Sequence, residues 1–287
     1  MSKALKKKEC QNRDRKIGIL FQPKTSAAVT LAKELAKVVE GMDALVWLCS
    51  AWEEEKACAQ VDGTRFIVCL GGDGTILRAA RIASPAGVPI VGVNLGRVGF
   101  MTEITAADAL SRVTAFVEGE GWVEERAMLQ AELVSANTPP YHALNDVVVG
   151  RGERCRLIRV KTTVDDEPLT TYKCDGVIIA TATGSTGYAL AAGGPILHPQ
   201  SEEIVMKPIA AHLSLSTALV LPADAIVELQ VSTTHKATLS IDGQIEVPLS
   251  DGDAVRVRRS PYVTRLLKSQ WPAAFYDTLV QKLEKRE

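Results

Sequence analysis

Phe66-Ile67-Val68-Cys69-Leu70-Gly71-Gly72-Asp73-Gly74-Thr75-Ile76-Leu77 is the stretch on which the fold of the first half of this chain turns. The run from Phe66 to Leu70 is apolar without alternation, the pattern of a strand buried on both faces of a parallel sheet. Glycines then break it, and a helix is predicted to open at Thr75 and to continue through Ile76, Leu77, Ala80 and Ile82. Glycine at such a turn permits positive φ and lets a phosphate approach backbone N–H groups, while the helix N-terminus adds partial positive charge. Asp73 is out of place in a plain anion cradle. Its carboxylate suits a hydroxyl, a metal ion or a proton, and the ordinary structural alternative is an N-cap. Neither G-x-x-x-x-G-K-[ST] nor a strict G-x-G-x-x-G occurs in the sequence, so neither a P-loop NTPase nor an ordinary dinucleotide oxidoreductase is supported.

Outward from that stretch the first hundred residues alternate strand and helix signals. Ile17 to Leu20 reads as a strand, Ala27 to Val39 as an amphipathic helix and Ala44 to Leu48 as a strand. Pro89 to Val93 leads into a second glycine turn, Asn94-Leu95-Gly96-Arg97-Val98-Gly99-Phe100. This is βαβ rhythm, and open parallel sheets bind ligands outside the carboxyl ends of their strands, where both turns fall. Thr105-x-x-Asp108 reads as a capping box for a helix with Leu110, Val113 and Val117 inward.

After Gly121 the rhythm changes. From about Met128 to Leu267 the sequence reads as short β runs between turns: Leu144 to Val149, Leu157 to Val164, Val177 to Thr181, Leu213 to Leu221, Ile226 to Val231, Ala237 to Ile241 and Val255 to Val257. The pattern is that of a mainly antiparallel domain. Ala273 to Lys285 is predicted to be a closing helix with Phe275, Leu279 and Leu283 on one stripe. Within the β half, Asp175 starts a strand that delivers Thr183-Gly184-Ser185-Thr186-Gly187-Tyr188, followed by Gly193-Gly194-Pro195. These hydroxyls offer donors and acceptors to ribose and phosphate without adding charge, whereas the bland alternative is a polar turn. A nucleophile elbow is excluded, since Thr183 stands where G-x-S-x-G requires glycine. Asn145-Asp146 sits at the mouth of an apolar strand, as either a site or a local bulge. Asp242-Gly243 has the grammar of a hairpin turn.

The 287 residues carry 33 lysines and arginines against 34 acids, so no global field points to nucleic acid or a membrane surface. The 46% hydrophobic content suffices for real cores. Lys3, Lys6, Lys7 and Lys8 lack a following apolar segment and read as a solvated tail rather than a secretory signal. Six cysteines without a C-x-x-C pair, and four scattered histidines without H-E-x-x-H, read as reduced thiols and no protein-ligated zinc. A cytoplasmic protein without a membrane span is expected.

In their order, Gly71 to Thr75, Asn94 to Glu103, Asn145-Asp146, Asp175 to Pro195 and Ile241 to Gln244 resemble the NAD kinase family. Gly-Gly-Asp-Gly-Thr alone is shared with diacylglycerol and sphingosine kinases and phosphofructokinases; the Thr-Gly-Ser-Thr loop with Tyr188 and Gly-Gly-Pro separates this family from them. The resemblance implies a Rossmann-like α/β domain at residues 16–124, a β-sandwich domain at 125–268, a basic tail at 1–15 and a C-terminal helix at 269–287, with a dinucleotide bound by both domains. It also implies the site. Asp73 would contact the adenosine ribose as general base, beside Gly71, Gly72, Gly74 and Thr75; Phe100 would lie by the adenine. Asn145 and Asp146 would grip ribose and adenine, Asp146 standing where Glu is frequent. Thr183, Thr186 and Tyr188 would serve the adenosine, Ser185 is a further candidate binding residue of that loop, and Asp175 would serve the nicotinamide end, reaching toward a neighbouring subunit's ligand.

The chain departs from the family at Ala182, Gly187 and Ala191, where Pro, Ala and Ser are usual, and at Lys173, a candidate binding residue where Arg or a small residue is frequent, which leaves NAD and NADH both open as acceptors. The implied activity is phosphorylation of the 2′-hydroxyl of the adenosine ribose of NAD by ATP, with magnesium or another divalent cation, in a homodimer or homotetramer; polyphosphate is the other donor. Arg78 and Arg97 read either as charge neutralisers or as solvated helix and loop cations. Two competing classes are a lipid or sugar kinase, against which the hydroxyl loop argues, and a non-catalytic dinucleotide-binding regulator, against which Asp73 argues.

Overall fold

The computed structural model describes residues 15–96, 99–136, 138–152, 156–212, 215–269, 275–276 and 279–280. Arg97, Leu213, Cys10, Cys155, the lysine-rich opening and most of the expected closing helix lie outside the described residues. The chain divides into two compact units, one drawn from residues up to Glu125 together with those from Thr264, the other running Arg126–Val263. No described helix is long and apolar enough to cross a membrane.

In the first unit β1 (Lys16–Phe21), α1 (Ser26–Glu40), β2 (Leu45–Ser50), α2 (Glu54–Val61), β3 (Phe66–Leu70), α3 (Asp73–Ala83), β4 (Ile90–Asn94), β5 (Ile104–Thr105) and α4 (Ala109–Glu118) follow in order. The strands form a parallel sheet in the order β4-β3-β1-β2, and Leu266 pairs beside Ile90. Alternation puts Ile17, Ile19, Phe66 and Val68 on one face, where they meet Leu31, Leu35, Val113 and Phe116 of α1 and α4. The sequence of strands reverses direction across the sheet between β1 and β3, so the turn after β3 opens at a topological switch point, the usual ligand position in such sheets.

Two local expectations need correction. The helix predicted from Thr75 begins at Asp73, because the N–H groups of Thr75 and Ile76 both donate to Gly72 O at 2.8 and 3.2 Å. Asp73 is therefore in the first helical turn and is not the N-cap, which is Gly72. Leu110 does not point inward: the buried set of α4 is Ala109, Val113, Phe116 and Val117, and Leu110 falls off that stripe and is exposed.

The second unit contains most of β6 (Trp122–Leu133), then β7 (Tyr141–Ala143), β8 (Asp146–Arg151), β9 (Ile158–Val164), β10 (Glu167–Cys174), β11 (Gly176–Ala180), the short helix α5 (Tyr188–Ala191), β12 (Ile204–Ile209), β13 (Leu219–Leu221), β14 (Val227–Ser232), β15 (Ala237–Ile241), β16 (Ile245–Leu249) and the first part of β17 (Ala254–Lys268). Its pairings are antiparallel, in the orders β10-β9-β14-β17 and β13-β12-β11-β8-β15-β16. The core is shared by both layers: Val160, Tyr172, Leu229 and Val257 from the first meet Val147, Val149, Ile179, Leu239 and Met206 from the second. This is a β-sandwich. The outer face of the second layer carries Val148, Ile178, Ala180 and Val205, on which Ala189 of α5 packs. That face matters because the hydroxyl loop is anchored there.

Candidate active site

In the first unit the turn after β3 is built for close approach. A Cβ on Gly71 would collide with Thr75 Oγ1, so glycine lets buried Thr75 tuck beneath the turn. Neither Gly71 nor Gly72 uses the positive φ that the sequence suggested; Gly72 sits at −89° with open space where a side chain would be. The Gly71 amide is committed to Val93 O at 3.0 Å, whereas Gly72 and Gly74 are exposed at the helix start.

Asp73 is held by the second glycine turn. Its Oδ2 accepts from Phe100 N at 2.9 Å and its Oδ1 from Met101 N at 3.2 Å. Gly99 lies against the same carboxylate, and its own N–H donates to Thr102 Oγ1 at 2.8 Å. The loop is tied down at its far end by Glu103, whose Oε1 accepts from Ser269 N at 2.8 Å. Both glycine turns thus converge on one acid, with Phe100 half-buried beside it. Arg78 is stacked over Trp52, 4.5 Å from the ring centroid, which gives that cation a structural partner.

In the second unit the counterpart is Asp242. Its carboxylate accepts from three consecutive amides, Leu144 N at 3.0 Å, Asn145 N at 2.7 Å and Asp146 N at 3.0 Å. Asp146 is buried at 6% exposure, and its carboxyl is pushed up to about 7, first by burial and then by the negative charge of Asp242. Asn145 Oδ1 is buried without a hydrogen-bond partner, an acceptor for which a ligand donor is the natural complement. The sequence read Asp242-Gly243 as a tight turn, which it is; the grip on residues 144–146 left no local signal, because the partners are 96 to 98 residues away.

The hydroxyl loop is not a plain strand-to-strand turn. Residues Gly184–Thr186 form a 3-10 turn and Tyr188–Ala191 a helical turn. Its hydroxyls divide by role. Ser185, a candidate binding residue, is fully buried, donating to Ala182 O at 2.6 Å and accepting from Leu197 N at 3.0 Å, so that it ties the loop together. Thr186 Oγ1 donates to Thr183 O, and Thr183 Oγ1 accepts from Arg126 at 3.3 Å. Thr181, which the sequence reading passed over, donates to Leu144 O at 2.6 Å and accepts from Gly184 N at 3.0 Å. A Cβ on Gly184 would collide with the Asn145 carbonyl, so this glycine brings the loop onto the Asn145-Asp146 bend.

Tyr188, 47% exposed, overhangs the outer face of the second layer. Beneath it runs a trough made of two adjoining hollows of about 370 and 350 Å³ that share Val148, Tyr188 and Ser240. Asn145, Asp146 and Asp242 line the first; Asp175, Arg151 and Glu246 line the second. Arg151 pairs with Asp175 at 3.2 Å. Of the expected site residues of this unit, Asn145, Asp146, Asp175 and Tyr188 therefore share one trough, whereas Lys173 is exposed on β10 outside its lining. Among the described residues no group of three or more His, Cys, Asp or Glu side chains is placed to hold a metal ion.

The ATP-NAD kinase N-terminal domain matches residues 7–121, and the ATP-NAD kinase C-terminal domain matches residues 144–269. The chain belongs to the NAD kinase family. NAD kinase of Dehalococcoides mccartyi strain CBDB1 is 44% identical over 273 residues, covering 94% of this chain and 96% of that protein. NAD kinase of Chloroflexus aurantiacus strain J-10-fl is 40% identical over 274 residues, covering 94% and 99%. Among solved structures, an NAD kinase from Archaeoglobus fulgidus in complex with ATP superposes with a TM-score of 0.74 at 27% identity, covering 95% of this chain and all of that one. Yeast NADH kinase complexed with NADH gives 0.79 at 24% identity, covering 95% and 88%, a likeness of fold.

Proposed function

We propose that this NAD kinase transfers the γ-phosphoryl group of ATP to the 2′-hydroxyl of the adenosine ribose of NAD, releasing ADP and NADP. The observation that carries the reading is the Asp73 carboxylate, fixed at the first turn of α3 by the amides of Phe100 and Met101. An acid so held is oriented for one hydroxyl. In the transfer the ribose 2′-oxygen bonds to the γ-phosphorus, the bond to the β,γ-bridging oxygen breaks, and the hydroxyl proton passes to Asp73. Because phosphoryl-transfer transition states are loose, alignment and charge neutralisation contribute more than the base itself. The Gly71 amide is already used in the sheet, so the phosphate role falls to Gly72 and the first turn of α3. Magnesium or another divalent cation enters as part of the substrate, MgATP, held by phosphate oxygens and water.

The adenosine is assigned to the trough of the second unit, with Asn145 and Asp146 on the ribose and adenine, Tyr188 overhead, and Thr183 and Thr186 shaping the loop that carries it. Phe100 is assigned to the adenine and Asp175 to the nicotinamide end. The buried cysteines Cys49, Cys69 and Cys174 support a cytoplasmic setting, and a homodimer or homotetramer is proposed from the family resemblance. The test is formation of NADP by the purified protein from MgATP and either NAD or NADH, read with an NADP-specific coupled enzyme. Product is expected with NAD; binding of NAD without product from either acceptor would refute ATP-dependent phosphorylation of NAD and point to another donor or a binding-only role.

A further inference from the structure

Asp242 does more than close a hairpin. It and Gly243 adopt φ of 52° and 62°, the left-handed pair of a two-residue turn, closed by Gln244 N to Ile241 O at 2.9 Å. Asn-Gly makes this turn as readily as Asp-Gly, so the turn by itself does not call for a carboxylate. The carboxylate is engaged elsewhere. It is 8% exposed and accepts from the amides of residues 144, 145 and 146, while its own backbone N–H donates to Asp146 O at 2.9 Å. Three successive N–H groups aimed at one carboxylate require a bend in the chain where it enters β8. That bend also receives Thr181, through its hydroxyl to Leu144 O and its amide to Asn145 O. An amide side chain could not satisfy all three amides as arranged, because they use two acceptor oxygens and an amide side chain has one.

We propose that Asp242 is a positioning residue for the dinucleotide: its carboxylate fixes the bend at residues 144–146 and so sets where Asn145 and Asp146 present their side chains in the trough. The inference rests on the NAD kinase reading of that trough, and it assigns to Asp242 no contact with the reacting atoms. It predicts a graded response. In Asp242→Asn the turn is kept, and the remaining carbonyl oxygen can serve Asn145 N and Asp146 N while the side-chain NH₂ opposes Leu144 N. In Asp242→Ala all three amides lose their acceptor.

The experiment is steady-state kinetics of wild type, Asp242→Asn and Asp242→Ala, with KM for NAD, KM for ATP and kcat measured separately, together with NAD binding by calorimetry. The expected result is a KM for NAD raised about tenfold in Asp242→Asn and further in Asp242→Ala, from loss of hydrogen bonds to a charged acceptor, with kcat and KM for ATP within about twofold. If Asp242→Ala does not fold, Asp242→Asn alone decides, since its turn is compatible with the backbone. An unchanged KM for NAD in folded Asp242→Asn, or equal rises for NAD and ATP, would overturn the proposal. Wild type that neither forms NADP nor binds NAD would instead overturn the reading on which it rests.

Discussion

Gly99 lies so close to the Asp73 carboxylate that a Cβ at that position would collide with it. The same turn supplies the Phe100 and Met101 amides to that carboxylate, so the acid is packed on one side and hydrogen-bonded on the other. Gly99→Ala must displace either the carboxylate or the turn. Because misplacement by about 1 Å can cost about 10²-fold, kcat is expected to fall by about that factor with the thermal midpoint little changed. Wild-type kcat in the folded variant would show that the turn does not set the position of Asp73.

Asp73→Asn separates orientation from proton transfer. The amide side chain keeps one acceptor oxygen but is no base, and its NH₂ opposes one of the two donor amides. General-base assistance is worth about 10²–10⁴-fold, so kcat should fall within that range while the dissociation constant for NAD stays within a few-fold. The comparison is single-turnover rate against calorimetric binding; loss of both together would make Asp73 a binding group.

The parts of this protein that were legible in the sequence are those whose cause is local. Phe66 to Leu70 reads as a buried parallel strand because nothing in it alternates, and the strand has those bounds. Glycines at 71, 72 and 74 announce a tight strand-to-helix turn from chemistry confined to five residues, and the helix opens there at Asp73. The helix Glu54–Val61 leaves little signal in the sequence, because half of its eight residues are polar and it buries only Ala57 and Val61. Leu110 was misassigned because in a ten-residue helix one apolar position off the stripe is indistinguishable from one on it until the partner, α1, is known. Ser185 is the same problem at the site: four hydroxyls in one loop look alike in sequence, and only the fold shows that Ser185 is enclosed by Ala182 and Leu197.

Ser185→Ala tests that distinction. The variant removes a donor to Ala182 O and leaves Leu197 N, which is only partly buried, without its acceptor. A buried group left unsatisfied costs about 1–3 kcal/mol, so the expected outcome is a lowered thermal midpoint with KM for NAD changed by a few-fold at most. A large rise in KM for NAD at unchanged stability would return Ser185 to the ligand-contacting set.

The raised pKa of Asp146 makes the stability of the unliganded protein depend on pH in a definite direction. Burial, and then the charge of Asp242, move this carboxyl from its ordinary 3.8 to about 7. Between about pH 4 and pH 7 the folded state therefore keeps a proton that the unfolded state has released. Where the native state binds more protons, unfolding free energy falls as pH rises, so the contribution of Asp146 is fully favourable below pH 4 and is lost progressively up to pH 7. Asp146→Asn carries no such proton. Relative to wild type it should gain stability as pH rises from 5 to 7, by up to about 1.4 kcal/mol for each pH unit inside the window, and the difference should level off above it. Urea midpoints of both proteins at pH 5, 6, 7 and 8 provide the measurement; a wild-type-minus-variant difference that is flat across this range would mean that Asp146 is ionised in the folded state throughout.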